Sequence, residues 1–216
     1  MHTHTRALVL RETAYKDNDK MLTVLTPGEG KLSVFARGAR RRGSPHIAST
    51  QLLAHSEFTL FCSKERFTLD SSESIDLFFG LRQDIQRFTF GVYFAELLDA
   101  VCVGGLPCAE IFELALWGLN ALGQARRPPE LIKAAFELRL MALSGFEPDL
   151  DEHPLTPGAL DAMRHILTCE CERLASFSLG ERDAGVLSRI CEQYVISQAE
   201  KTFASLDYLR GGMFDA

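Results

Sequence analysis

The sequence predicts a two-domain α+β protein, a small five-stranded β-barrel at the N-terminus followed by an all-helical domain. Three observations carry that expectation. Residues 5–70 alternate apolar and polar side chains and are broken by turn residues, as strands are. Near Leu77 the apolar spacing switches to the three- and four-residue repeat of helices. The charge switches with it: residues 1–66 hold 11 Lys and Arg against 6 Asp and Glu, while the rest of the chain carries −11. Such an asymmetry joins a cationic module to an acidic one. The expected domains are 1–78 and 79–216, with the boundary near residues 76–80.

The first strand is read over Thr5–Thr13, where Ala7 and Val9 oppose Leu8 and Leu10. The second is Lys20–Thr26. Pro27-Gly-Glu-Gly30 follows as a turn, since proline presets φ and glycine accepts positive φ. The third strand, Lys31–Arg37, sends Leu32, Val34 and Ala36 to one face. Its other face carries Lys31, Ser33, Phe35 and Arg37. Arginines 40–42 and Gly43-Ser44-Pro45 form a loop. Ser56–Ser63, with Phe58, Leu60 and Cys62 on one face, is the fourth strand. Arg66–Asp70 or slightly beyond, with Phe67 and Leu69 inward, is the fifth. Five strands in so small a module favour a closed or partly closed barrel, which leaves no bare sheet edge.

Leu81, Ile85, Phe88, Val92 and Ala95 start the helical pattern, and Gly104-Gly105 stops it. Its apolar stripe is wide, so this helix is expected to be buried on several sides. A second helix is read from Cys108 to Gly123, and a third from Pro128-Pro129 to Gly145. Thr156-Pro157 reads as an N-cap and first turn. Ser178 with Glu181 reads as a capping box opening the last long helix, with Leu187, Ile190, Tyr194 and Phe203 inward. The tail from Arg210 to Ala216 is expected to fray.

Composition narrows the function classes. A chain that is 46% hydrophobic can bury a core and is not a disordered tail. The most apolar stretch, Phe88–Leu106, is interrupted by Glu96 and Asp99, so a membrane span is not expected. No N-terminal signal is visible and the six cysteines show no paired spacing, which points to a reduced, cytoplasmic protein. No phosphate-cradling glycine loop and no nucleophile elbow is present. No cofactor is expected, and an ATPase is not supported.

The arginine cluster in an acidic protein demands a reason. Arg37, Arg40, Arg41 and Arg42 can neutralise several phosphates. Phe35 between cations is the stacking candidate for a nucleic-acid base, with a small outer core as the competing reading. Lys20, Lys31, Lys64 and Arg66 are secondary contacts, and Arg11 and Lys16 weaker ones.

The order of elements and several segments resemble the bacterial RecO family of recombination mediators. Ala7-Leu-Val-Leu-Arg-Glu with Tyr15 and Asp19-Lys20 is one such segment; Thr26-Pro-Gly-Glu-Gly-Lys31 with Ala36-Arg-Gly-Ala-Arg40 is the most specific. Phe136-Glu-Leu-Arg-Leu-Met with Gly145-Phe-Glu-Pro-Asp-Leu150 and the closing Leu206-Asp-Tyr-Leu209 extend the likeness over nearly the whole chain. The resemblance implies an OB-type barrel that binds single- and double-stranded DNA, anneals complementary strands without enzymatic activity, and works in the cytoplasm at the nucleoid. It implies RecR, the acidic tail of single-stranded DNA-binding protein and the loading of RecA as the partnership. On the third helix, Ile132, Lys133, Phe136, Arg139 and Leu140 then read as an apolar groove with cations for that tail. An ordinary amphipathic helix is the competing reading for each of them.

One departure stands out. Many family members carry a four-cysteine zinc module just after the Pro-Asp-Leu segment. Here Pro148-Asp149-Leu150 runs directly into Asp151-Glu-His-Pro154, so no structural zinc is expected. His165, Cys169 and Cys171 lack a fourth ligand. An OB module for RNA or protein alone, and a hydrolase using His153 or His165, remain as the alternatives.

Overall fold

The computed structural model describes residues 1–64, 66–150 and 155–211. Glu65, the acidic stretch 151–154 with His153, and the tail 212–216 lie outside the described residues, and so do the expectations placed on them. Five strands come first: β1 His2–Tyr15, β2 Asp19–Thr26, β3 Gly30–Ala36, β4 His55–Ser63 and β5 Arg66–Asp76. Six helices follow: α1 Ile85–Val101, α2 Ala109–Gln124, α3 Pro129–Leu143, α4 Pro157–Thr168, α5 Glu181–Ala199 and α6 Ala204–Arg210.

The strands close into a barrel in the order β1-β2-β3-β5-β4. All neighbours are antiparallel except β3 and β5, which run parallel, with Val34 opposite Phe67 and Phe35 opposite Thr68. That order and that single parallel contact define an OB-type barrel. The barrel is lined as the alternation predicts. Ala7, Val9, Leu22, Val24, Leu32, Val34, Phe58 and Leu60 form its dry interior. The outer strands are longer than their sequence signal: β1 extends back to His2 and β5 runs on to Asp76. Polar side chains hid these extensions, because pairing of β4 with β1 and with β5 supplies backbone bonds that no apolar pattern announces.

The chain divides into two compact units, Met1–Phe79 with Val92–Phe112, and Gly80–Gly91 with Glu113–Ala216. Within the first, the α1–α2 connection clamps the β2–β3 turn. Lys31 N–H donates to the Val103 carbonyl at 3.1 Å, Gly105 N–H to Glu29 at 2.9 Å and Cys108 N–H to Pro27 at 3.0 Å. Gly30 sits at φ +63°, and a Cβ there would lie 2.4 Å from the Val103 oxygen and 2.6 Å from that of Leu106. The glycine answers both demands, a left-handed backbone and a backbone pressed against it.

In the second unit α3 is the central helix. Leu131, Ile132, Ala134, Ala135, Phe136, Leu138 and Leu140 are all buried. Thr156 caps α4, its hydroxyl accepting from Ala159 N–H at 3.4 Å. The expected capping box at α5 does not form: Gly180 holds the N-cap position with an extended backbone, and Ser178 Oγ instead accepts from Arg127 at 3.4 Å. Phe203 is buried, but in the link before α6 and not on α5. No described helix is long and apolar enough to cross a membrane.

Candidate nucleic-acid interface

Strand register builds a groove on the outside of the barrel. Met21 on β2 stands opposite Phe35 on β3, and Phe35 opposite Thr68 on β5. All three point away from the interior residues Leu22, Val34 and Leu69. Tyr15, the last residue of β1, also lines it, its ring perpendicular to that of Phe35 at 5.8 Å between centroids. Phe67 backs the groove and packs on the barrel core. Lys16 and Arg66 supply its charge. The cavity measures about 660 Å³. It opens between the β1–β2 and β4–β5 hairpins, the two loops that flank the ligand face of OB barrels. Lys16 and Lys64 sit at those hairpin tips, both with positive φ, of 53° and 48°.

The arginine loop folds over the first of these tips. Arg40 N–H donates to the Asn18 carbonyl at 2.9 Å, and its guanidinium reaches the Lys16 carbonyl at 3.3 Å. Gly38 N–H donates to Asp19 Oδ1 at 2.7 Å, and Arg41 N–H to the Gly38 carbonyl at 3.0 Å. The main chain is therefore fixed, and of the arginine side chains Arg40 is tied to the hairpin by a carbonyl bond. Arg37, Arg40, Arg41 and Arg42 are exposed, and among the described residues none pairs with a carboxylate. Lys64 and Arg66 are exposed as well. The geometry thus brings Phe35 and Arg66 into one groove and ties Arg40 to the hairpin tip whose Lys16 lines it, while Arg37, Arg41, Arg42 and Lys64 are exposed on loops and strand ends of the same barrel.

Two expected contacts are committed elsewhere. Lys20 Nζ bonds Glu12 and the Thr50 carbonyl, the latter at 3.2 Å, and only 12% of its side chain is exposed. Lys31 Nζ lies 3.1 Å from Asp99 Oδ1 and also meets the Asp99 carbonyl. Their partners are contributed from strands and helices that sequence reading could not bring to them. Arg11 is likewise turned to Thr23 and Asp99, at 3.2 and 3.6 Å. Tyr15 and Phe67 were not expected to line the site. Tyr15 ends a strand whose predicted span stopped at Thr13, and Phe67 has the spacing of a core residue.

The groove expected on α3 is corrected by burial. Ile132, Phe136 and Leu140 have no exposed surface, and Lys133 is 2% exposed. Lys133 Nζ lies between Glu137 Oε1 at 3.1 Å and Glu192 Oε2 at 2.6 Å. Glu192 Oε1 in turn accepts from Arg210 Nε at 3.0 Å. Burial pulls Lys133 toward its neutral form, but the two carboxylates outweigh it and hold the ammonium above its ordinary range. Burial likewise lifts Glu192, while Lys133 and Arg210 bring it below the usual carboxylate range. Arg139 donates to the Ile166 and Leu167 carbonyls, at 3.4 and 2.5 Å, at the end of α4. This helix is the core of its unit, with its charges consumed inside.

His165 Nε2 donates to the Arg173 carbonyl at 2.9 Å and its ring packs edge-on to Phe177. It holds a turn in place. Burial raises the Cys102 thiol to about 12 and Cys171 to about 11, so neither is a thiolate near neutral pH. Among the described residues no group of three or more His, Cys, Asp or Glu is placed to hold a metal.

An OB barrel with an aromatic groove, a cationic rim and a helical unit behind it in the chain is the architecture of a nucleic-acid-binding protein class. Comparison with known proteins gives the particular family. Residues 1–78 match the family model described as "Recombination protein O N terminal" and residues 82–154 that described as "Recombination protein O C terminal". The chain is 26% identical over 239 residues to a protein described as "DNA repair protein RecO" from Acetivibrio thermocellus, covering 95% of each. It is 29% identical over 238 residues to one from Symbiobacterium thermophilum, covering 94% of each. One from Alkaliphilus metalliredigens is 34% identical over 146 residues, which is 68% of this chain and 59% of the relative. The chain belongs to the RecO family of DNA repair proteins.

Proposed function

We propose that this protein binds single- and double-stranded DNA through the barrel and anneals complementary strands as a recombination mediator. The observation that carries the reading is the fixed arginine loop beside an aromatic OB groove. Its guanidiniums are exposed and none of them pairs with a carboxylate among the described residues, while the main chain that presents them is hydrogen-bonded to the β1–β2 hairpin. Cations pinned this way neutralise phosphates at a small cost in loop entropy. Two strands bound on such a surface repel each other less, so complementary bases can meet.

The mediator acts without a covalent step, in the cytoplasm and associated with the nucleoid. Its partners are RecR and the acidic tail of single-stranded DNA-binding protein, and its product is a strand open to RecA. The family membership supports this partnership. The tail's docking surface lies elsewhere than the interior face of α3, whose apolar residues are closed to solvent.

The test is fluorescence-monitored annealing of complementary oligonucleotides over a salt series, with the wild type and a combined Arg40→Ala, Arg41→Ala, Arg42→Ala variant. The wild type anneals. The variant loses annealing and its log Kd-against-log salt slope falls by about 2, near 0.7 per lost phosphate contact on single strands. A wild type that binds no DNA at low salt ends the proposal.

A further inference from the structure

Asp19 and Lys20 open β2 and bond to the arginine loop without adding to its free charge. We propose that they are positioning residues, gripping the two ends of that loop so that Arg40, Arg41 and Arg42 meet phosphate as a preset group. The inference rests on the DNA-binding reading and assigns the residues that shape its surface.

The loop spans residues 37–54, between the end of β3 and the start of β4. Adjacent residues on a strand point to opposite faces, so this dipeptide reaches two places at once. Asp19 Oδ1 accepts from Gly38 N–H at 2.7 Å, at the loop's entry. Lys20 Nζ donates to the Thr50 carbonyl at 3.2 Å and to Thr50 Oγ1 at 3.4 Å, near its exit. Glu12, which pairs with Lys20, accepts from Leu52 N–H at 3.2 Å. An ammonium has three donors. Those of Lys20 are met by Glu12 and by two oxygens of Thr50, which leaves none for a phosphate. Thr50 is fully buried, so the exit anchor is closed to water and its bonds are strengthened.

The grip works against a strained backbone. Leu53 sits at φ +65°, where a bulky residue is an outlier, and is 1% exposed. Such a residue persists where its surroundings over-determine it. Here Leu53 N–H donates to the Val9 carbonyl at 2.8 Å, and the neighbouring Leu52 N–H is held by Glu12. Removing Lys20 therefore loosens Thr50 and Glu12 next to a residue that gains by moving. At the other anchor, electrostatics alone predicts the opposite outcome. Asp19 is an anion bonded to the loop that carries Arg37, Arg40, Arg41 and Arg42, so its removal would strengthen the attraction to DNA. As a positioning residue, its removal weakens binding, because a loosened loop must be ordered at each encounter. The two readings of Asp19 differ in sign.

The wild-type full-length protein, Asp19→Ala, Asp19→Asn and Lys20→Met are titrated with a fluorescent single-stranded oligonucleotide over a salt series. Each is also digested briefly with trypsin in the absence of DNA. Asp19→Ala and Lys20→Met are each expected to bind about fivefold to tenfold more weakly, as loss of one or two ordering hydrogen bonds dictates, with the wild-type salt slope. Asp19→Asn, which keeps an oxygen for Gly38 N–H, recovers to within about twofold of wild type. Cleavage after Arg40, Arg41 and Arg42 speeds up in the two weakened variants and not in Asp19→Asn. A Lys20→Met slope lower by about 0.7 makes Lys20 a phosphate contact and overturns the inference. So does an Asp19→Ala that binds as tightly as wild type or tighter, or a weakened variant whose loop resists trypsin as wild type does. In each of these cases DNA binding itself stands. A wild type that binds no DNA overturns both readings. Thermal melts followed by circular dichroism separate a loosened loop from a lost fold. If Lys20→Met does not fold, Asp19→Ala against Asp19→Asn decides alone.

Discussion

Lys133 and Arg41 are both cations in segments that the sequence marked for contact with a partner, and the fold treats them in opposite ways. Lys133 is 2% exposed and held between two carboxylates on α3 and α5. Arg41 stands in solvent on a loop whose backbone is bonded, and among the described residues no carboxylate pairs with it. The same contrast separates Lys31, locked on Asp99, from Arg37 six residues later. A cation spent on an internal carboxylate supports the fold, and only a cation left over is available to a phosphate. Local sequence shows the charge but not whether a partner will consume it.

The contrast is sharpest where a cation is removed from each region. Lys133→Ala leaves Glu137, which has no exposed side-chain surface, without its ammonium, and is expected to cost about 3–5 kcal/mol in urea unfolding. Its salt slope on DNA, measured on the fraction that folds, stays at the wild-type value. The three arginines of the loop show the reverse, a changed salt slope and a stability within about 0.5 kcal/mol of wild type. A loop variant that unfolds the barrel breaks the distinction.

Glycines test the same two regions. Gly30→Ala combines a positive φ with two carbonyl oxygens closer than any Cβ tolerates, so a loss of about 3 kcal/mol or more is expected by chemical denaturation. Gly38, at φ +66° in the arginine loop, has open space where a Cβ would go. Gly38→Ala is expected to cost only the backbone preference, about 1 kcal/mol. Equal costs at the two sites would show that the clamp on the β2–β3 turn contributes nothing.

The smallest effect is on pH dependence. Glu192 has its carboxylate range lowered on folding, so the stability it contributes is present above its ordinary value of 4.5. That contribution is lost as pH falls below 4.5 through the lowered folded value. Glu192→Gln should therefore flatten the acid side of the stability curve below pH 4.5 and leave the loop's DNA affinity unchanged. Thermal melts across pH 3–6 measure it.

Much of this was legible in the chain. The alternation Leu32, Val34, Ala36 against Lys31, Ser33, Phe35 gave the inward and outward faces of β3, because a strand's two faces are fixed by period alone. The arginine loop was legible too, since a run of like charges without nearby carboxylates stays in solvent. What escaped the sequence depended on distant partners. Asp99 is 68 residues from Lys31, and nothing local connects them. The face of α3 carrying Ile132, Phe136 and Leu140 was legible as apolar, but periodicity does not tell a face that meets α4 and α5 from one left open. Tyr15 joined the groove through the β1–β2 register, which only the closed barrel fixes.

The clamp on the β2–β3 turn has a consequence for where the barrel can be cut. Its strands end at Asp76, but the carbonyls of Pro27 and Glu29 and the amide of Lys31 find partners between Val103 and Cys108. On the ribosome, all five strands are therefore translated before the segment that secures them. The smallest fragment expected to stand alone runs to Phe112, some three dozen residues past the last strand, and a piece ending at residue 78 would leave that turn with bare backbone groups.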